Sequence, residues 1–253
     1  MDGGAAARIA ALTAEGSSID EPLRILEIGA GTGQLTTALL AQTQSVTAIE
    51  FDPELIAILR SRKELAEAAI IEADALSFDY AQFAQSGPWR VAGNLPYNIA
   101  TPLMMGLIEM DGGPQVLVIM IQKDVAARLI AQPSTPAYGS LSIAVQYAMQ
   151  VERVFTLKPS AFYPQPKVDS TVVRLTRRSQ PAVEVADSKR FLQVARAAFA
   201  YRRKTLANSL SLALGLQRGD VAEALLTIGL NPEIRGEQLS LSDFARLTDR
   251  LAG

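Results

Sequence analysis

The chain has 253 residues, 49% of them apolar, and a formal net charge of −2, which is the composition of an ordinary globular protein. It contains no cysteine and no histidine. Their absence excludes disulfide bonds, a cysteine nucleophile, thiolate-held iron–sulfur clusters, histidine-ligated zinc and a histidine general base. Any reaction must therefore use carboxylates, amides, aromatic rings, backbone groups and a cofactor, and we expect no metal.

The sequence shows no targeting or membrane-spanning pattern. No cationic start followed by an apolar segment is present, and the strongest apolar run, residues 116–121, is far too short to span a bilayer. We therefore expect a cytoplasmic protein with no membrane partner.

The first informative stretch is a strand, a tight turn and a helix. Apolar residues 25–28, which include Glu27, precede Gly29, Gly31 and Gly33, and helical spacing follows. Only glycine lets the backbone approach a ligand closely or take positive φ without strain, and cofactors lie at this end of parallel strands. Gln34 stands where a dinucleotide motif needs glycine, and no Gly-Lys-Ser/Thr of a P-loop follows. The pattern favours a nucleoside without a pyrophosphate, such as S-adenosylmethionine; the alternative is a tight turn that binds nothing.

Acidic residues end the next two predicted strands. Glu50 lies 17 positions after Gly33, where a carboxylate can accept bonds from both ribose hydroxyls of a cofactor. Asp74 follows the third strand, residues 69–75, and could accept a bond from the amine of a cofactor adenine. The alternative for Glu50 is an acidic surface residue at a strand end.

The fourth strand runs directly into Asn94-Leu95-Pro96-Tyr97. The Asn94 amide and the Leu95 carbonyl can accept hydrogen bonds from an exocyclic NH2, while Tyr97 covers the ring of the base. Such stacking contributes ~1–3 kcal/mol per base. The alternative is an Asn-Pro type of turn with a buried tyrosine.

A proline-fixed loop, residues 158–167, carries Phe162 and Tyr163. These aromatic residues either plug the sheet edge or form the second face of a base pocket opposite Tyr97.

The predicted elements divide the chain into two parts. Strands are expected up to residue 178, with helices interleaved and a final hairpin-like pair at residues 151–157 and 168–175. From residue 179 onward the pattern predicts helices only, at 191–200, 204–214, 219–227 and 240–251. We therefore predict an α/β domain at residues 1–178 and a small all-helical domain at residues 179–253.

Positive charge is concentrated in one block. Residues 167–204 hold 10 Lys and Arg against three Asp and Glu. Such a block is either an electrostatic footprint for a phosphate backbone or a solvated helix face. The candidate residues for binding a phosphate backbone are Lys167, Lys189, Arg190, Arg196, Arg202, Arg203 and Lys204.

Taken together, the motifs resemble the rRNA adenine N6,N6-dimethyltransferase family over almost the whole chain. They lie at residues 27–33, 50, 72–75, 94–97, 160–169 and 199–208. The resemblance implies a seven-stranded, Rossmann-like, S-adenosylmethionine-dependent methyltransferase sheet with a C-terminal helical domain. It also implies dimethylation of two adjacent adenines in the 3′-terminal hairpin loop of small-subunit (16S) rRNA during ribosome biogenesis.

The resemblance assigns residues to the two ligands. The predicted cofactor set is Glu27, Gly29, Gly31, Gly33, Glu50, Asp74, Ala75 and Asn94. The predicted catalytic set is Asn94, Leu95, Pro96, Tyr97 and Phe162, with Phe162 stacking on the target base. We expect the partner to be the rRNA of the immature small ribosomal subunit and the enzyme to act as a monomer.

Three alternatives stay open. One is a large-subunit rRNA adenine methyltransferase, which shares the core motifs. Another is a non-catalytic ribosome-assembly or RNA-binding factor on the same fold. A small-molecule methyltransferase is the third, and the basic helical part of the chain argues against it.

The chain departs from the family pattern at its start. The family begins with a Gly-Gln-Asn-Phe-Leu segment whose Asn and Leu contact the cofactor, and no residue here matches it. Either the true start lies upstream, or the chain binds the cofactor with an incomplete lid.

Overall fold

The computed structural model describes residues 3–16, 23–162 and 165–251. The strands in these residues are β1 Arg24–Ile28, β2 Val46–Glu50, β3 Ala69–Glu72, β4 Trp89–Asn94, β5 Val116–Gln122, β6 Met149–Leu157 and β7 Ser170–Arg177. The α-helices are α1 Gly3–Ala14, α2 Gln34–Leu40, α3 Pro53–Ser61, α4 Tyr80–Ala84, α5 Ala100–Glu109, α6 Lys123–Leu129, α7 Ser140–Ala148, α8 Ser188–Ala198, α9 Leu206–Leu214, α10 Arg218–Thr227 and α11 Leu241–Arg250. Three short 3-10 helices lie at Lys63–Leu65, Pro159–Ala161 and Gly236–Gln238. Within these residues, every helix is too short or too polar to cross a lipid bilayer.

All strands form one mixed sheet in the order β3-β2-β1-β4-β5-β7-β6. The first five are parallel, and β7 runs antiparallel to β5, with Ile119 opposite Val173. The predicted pair β6 and β7 are neighbours at one edge. Because β1 to β4 are parallel, their carboxyl ends meet at the same edge of the sheet, and the residues that follow them are gathered there.

The first compact unit comprises Met1–Ala126 and Gln150–Arg177 and holds almost the whole sheet. The continuous apolar run of β5 is buried on both faces, as expected for a central strand. Helix α1 packs its buried face, including Ile9, into the core against α2 and beside β4 and β5. Arg90 of β4 donates from Nη1 to the carbonyls of Thr13 and Glu15, each at 2.8 Å, and so binds the end of α1.

The second compact unit comprises Ala127–Met149 and Arg178–Gly253. Its boundary differs from the predicted division, which assigned residues 127–149 to the first domain. The reason is packing: Ile143 and Tyr147 of α7 belong to the same buried cluster as Phe191 of α8, and the rings of Tyr147 and Phe191 lie 4.7 Å apart. The apolar spacing of a helix predicts that it has a buried face but not which helix covers that face.

Candidate active site

The turn after β1 requires glycine, as predicted. Gly29, Gly31 and Gly33 have φ of +75°, +58° and +83°, a region that other residues occupy only with strain. Gly33 is also enclosed, because a Cβ there would lie 2.6 Å from the Leu65 side chain and 2.9 Å from that of Leu59. We call residues 29–33 the glycine turn.

The Glu50 carboxylate connects the end of β2 to the glycine turn. Its Oε2 accepts a hydrogen bond from the Gly31 N–H at 2.8 Å. Its Oε1 accepts from the N–H groups of Phe51 at 2.8 Å and Asp52 at 3.1 Å. Backbone donors therefore fix the carboxylate, and Oε2, which accepts a single bond, can accept another.

Arg62, at the end of α3, is a second side chain that holds the glycine turn. Its guanidinium donates to the Thr32 carbonyl and, at 3.3 Å, to the Thr37 hydroxyl, and it pairs with Glu64 at 2.9 Å. Sequence reasoning missed this residue, because an arginine at a helix end carries no motif.

A cavity of about 450 Å³ lies at the carboxyl ends of the strands. This volume is within the range of small-molecule sites, about 300–1,000 Å³. Four of the predicted cofactor residues line it: Gly29, Glu50, Asp74 and Ala75. We call it the first cavity.

Two apolar side chains at the first cavity are exposed, and neither residue was predicted to belong to the site. Phe51 is 70% exposed and Leu76 is 53% exposed, and both line the cavity. The Leu76 N–H donates to Asp74 Oδ1 at 2.9 Å, which fixes the loop after β3. Their position in the sequence could have identified them, because Phe51 follows Glu50 directly and Leu76 lies two residues after Asp74. Carboxylates beside exposed apolar side chains suit a nucleoside, which has sugar hydroxyls and a flat base.

Glu27 does not line the first cavity, and neither does Gly31 or Gly33. The Glu27 side chain is 1% exposed, and within the described residues its Oε2 has no hydrogen-bond partner. Burial raises the pKa of Glu27 to about 8; hydrogen bonding to Thr36 acts against this rise, and the nearby charge of Glu50 adds to it. Near neutral pH this carboxyl is therefore mostly protonated, as suits a buried supporting group.

A second cavity of about 250 Å³ gathers the whole predicted catalytic set. It is lined by Asn94, Leu95, Pro96, Tyr97, Phe162, Pro166 and Ser170. The last two were not predicted. Tyr163, which was considered together with Phe162, lies outside the described residues.

The segment after β4 is fixed in place. Leu95 is buried and its N–H donates to the Met120 carbonyl at 3.2 Å, whereas the Asn94 side chain is exposed at the end of the strand. The Tyr97 hydroxyl lies 3.1 Å from Ser170 Oγ. Pro96 lines both cavities, so the two cavities share a wall.

The predicted basic residues fall in both units. Lys167 is exposed in the first unit. The other six lie in the second unit, on α8 or in the turn after it: Lys189, Arg190, Arg196, Arg202, Arg203 and Lys204. We call residues 200–204 the basic turn. Arg202 also lines a third cavity, about 390 Å³, together with Arg128, which was not predicted.

The sheet order and the strand-end cavities define a Rossmann-like methyltransferase, and solved structures support this class. A crystal structure of a dimethyladenosine transferase from Plasmodium falciparum has the same fold, with a TM-score of 0.75 and 24% identity over 98% of this chain and 95% of that chain. A crystal structure of the 23S rRNA methyltransferase ErmE aligns with a TM-score of 0.72 and 25% identity over 100% of this chain and 99% of that chain.

Sequence comparison gives the family. The family model described as ribosomal RNA adenine dimethylase matches residues 8–252. The Ribosomal RNA small subunit methyltransferase A proteins of Streptococcus pneumoniae strains D39 and R6 are each 42% identical over 246 residues, covering 94% of this chain and 85% of the relative. The chain therefore belongs to the ribosomal RNA adenine dimethylase family, which confirms the family that its motifs predicted.

Proposed function

We propose that this protein transfers methyl groups from S-adenosylmethionine to N6 of two adjacent adenines in the 3′-terminal hairpin loop of small-subunit rRNA. It acts as a monomer on the immature small ribosomal subunit. The observation that carries the proposal is the wall that Pro96 contributes to both cavities, because it puts a nucleoside-like site directly beside an amide–aromatic site. The names of the Streptococcus pneumoniae relatives support the small subunit as the target.

The first cavity holds the cofactor. Glu50, already fixed by three backbone donors, accepts a hydrogen bond from a ribose hydroxyl at Oε2, and Asp74 accepts one from the adenine amine. Gly29 and Ala75 let the backbone come close, and the exposed ring of Phe51 covers the base. When bound, S-adenosylmethionine supplies a methyl group attached to a positively charged sulfur.

The second cavity holds the target adenine. The lone pair of N6 is delocalised into the ring, so the amine attacks only when it is held out of the ring plane. The Asn94 side-chain oxygen and the Leu95 carbonyl hold the amine by accepting hydrogen bonds from its N–H groups. Tyr97 and Phe162 cover the two faces of the base. Because the Tyr97–Ser170 contact and the buried Leu95 fix this geometry in advance, orientation supplies the rate without a covalent intermediate.

The basic residues bind the phosphates of the RNA. In the second unit this group is extended by Arg128 beside Arg202. Each phosphate contact releases a counterion, so we expect binding to weaken steeply as salt concentration rises. The target adenines must leave their stack, which costs least in a hairpin loop.

The proposal is tested by transfer of labelled methyl groups from S-adenosylmethionine to small ribosomal subunits that lack the dimethyladenosines. We expect two neighbouring dimethyladenosines, located by mass spectrometry of the rRNA. Large-subunit rRNA is the matched substrate control, because the ErmE-like fold makes it the nearest alternative target. Methylation of large-subunit rRNA alone would replace the proposed substrate, and subunit binding without any transfer would favour the non-catalytic assembly factor.

A further inference from the structure

The basic turn carries one aromatic side chain, Tyr201. All five residues of the turn are exposed, and Tyr201 is 44% exposed. Its neighbour Phe199 behaves differently, because the Phe199 ring packs against Tyr138 at 6.0 Å and against Phe244 at 6.3 Å. None of the ring pairs found in the described part of the chain includes Tyr201.

The turn is anchored at both ends although its middle is exposed. On one side Ser209 Oγ donates to the Ala197 carbonyl at 2.7 Å. On the other side Leu206 is fully buried and its N–H donates to the Ile234 carbonyl at 2.8 Å. The turn therefore presents its side chains from fixed backbone, which lowers the entropic cost of binding through them.

Tyr201 stands in unusually positive surroundings. The next three residues are Arg202, Arg203 and Lys204, and residues 188–217 contain six Lys and Arg and no Asp or Glu. Among the residues that the structure describes, no carboxylate pairs with any of these three cations. Leu212 and Leu226 are more exposed than Tyr201, but they are aliphatic and lack such neighbours.

We propose that Tyr201 is a stacking platform for an unpaired RNA base, and that Arg202, Arg203 and Lys204 bind the phosphates on either side of it. The inference rests on the proposed function and deepens it, because it assigns the second unit a single-stranded segment of the substrate. Single exposed apolar residues are ordinary. Here an aromatic ring is joined to a run of cations, and this pairing is how proteins bind unpaired nucleotides.

A fluorescence experiment tests the stacking directly. Trp89 is the sole tryptophan, is 2% exposed and donates from Nε1 to the Gly112 carbonyl, so it is shielded from RNA. Tyr201→Trp therefore adds one exposed reporter. We expect small ribosomal subunits lacking the dimethyladenosines to quench it, and to quench the matched Leu212→Trp reporter much less. Equal quenching of the two reporters would overturn the inference.

Affinity measured across a salt series separates stacking from charge. We expect Tyr201→Phe to bind as the wild type does, and Tyr201→Ala to bind about 5- to 150-fold more weakly with an unchanged salt slope. Tyr201→Leu should resemble Tyr201→Ala, because a flat ring is needed. Arg203→Gln should instead lower the salt slope by about 1. Thermal melting of each variant checks that the second unit remains folded.

The outcomes distinguish this inference from the proposed function. If Tyr201→Ala binds like the wild type while Arg203→Gln binds weakly, the stacking platform is wrong and RNA binding by the turn stands. If the wild type neither binds nor methylates the subunits, the proposed function fails and this inference fails with it.

Discussion

The glycine turn and the basic turn are built in opposite ways. At the glycine turn, backbone donors hold Glu50, and Arg62 donates to the Thr32 carbonyl and the Thr37 hydroxyl. At the basic turn, the functional side chains project from an anchored backbone and make no ion pairs within the described residues. At the glycine turn, the same contacts therefore serve ligand binding and the stability of the fold. At the basic turn, side chains can change ligand binding without changing stability. Substitutions should therefore have two distinct signatures.

The largest effect is expected at Asn94. Its side chain is exposed although the residue ends a central strand, so its loss should affect transfer and leave the fold stable. Removing one preorganised polar group at a reacting centre costs about 10²–10³-fold in kcat. We expect Asn94→Ala to lose this much transfer, with little change in melting temperature and only a modest loss of RNA binding. Asn98→Ala, which lines the first cavity alone, is the control and should lose less than about tenfold. A parallel collapse of stability would contradict the assignment.

Gly33→Ala should combine loss of stability with loss of cofactor binding. The new Cβ meets Leu65 and Leu59 and the residue keeps φ of +83°, so overpacking adds to backbone strain for a total of about 2–5 kcal/mol. Gly31→Ala is the matched variant, with φ of +58° and nothing within 4 Å of the added Cβ, and should cost about 1–2 kcal/mol. Calorimetry measures the melting temperatures of the two variants. Equal decreases in melting temperature would show that the enclosure of Gly33 is unimportant.

Neutralising the basic turn should give the opposite signature. We expect the triple variant Arg202→Gln, Arg203→Gln, Lys204→Gln to bind immature small subunits about 10- to 100-fold more weakly at moderate salt, with a salt slope lower by about 2. Its melting temperature should stay unchanged, because these side chains are exposed. Turnover at saturating subunit concentration should also persist. A large loss of stability would show that the side chains of the basic turn also hold the fold together, contrary to this prediction.

The smallest effect on methyl transfer is expected at Glu27, which lines neither the first nor the second cavity and instead makes stability depend on pH. Its pKa is about 8 in the folded protein against 4.5 for an ordinary glutamate, so between these values the folded state holds a proton that the unfolded state has lost. Stability should therefore fall as pH rises from about 4.5 to 8, by at most about 1.4 kcal/mol per pH unit. Glu27→Gln, which stays neutral, should remove this contribution. Denaturant unfolding between pH 5 and 9 measures it, and identical slopes in both proteins would mean that Glu27 ionises normally.

Several features were predictable because they depend on local backbone chemistry. Positive φ at Gly29, Gly31 and Gly33 and a carboxylate at the end of β2 follow from strand-end geometry and from what glycine alone permits. Continuous burial of β5 follows from its apolar run. Each of these needs only neighbouring residues and the direction of the strands.

Other features depend on contacts between distant residues and were not predictable. Residues 127–149 join the second unit because of the rings that cover α7, which no periodicity specifies. Burial of the Glu27 carboxyl was not predictable from the motif, because it depends on the elements that cover both faces of the central strand β1. The exposure of Phe51, 70%, was not predictable either, because an apolar residue after a strand carries no signal that it lies at the surface.

The shared wall at Pro96 has a consequence for inhibitor design. Proline has no N–H and a fixed φ, so this residue cannot donate a hydrogen bond to an occupant of either cavity, and its ring has little freedom to adjust. A compound that joins a nucleoside to a second purine should therefore cross Pro96 with a short apolar linker. A polar linker would lose its hydrogen bonds to water at this wall, and Pro96 has no backbone N–H that could replace them.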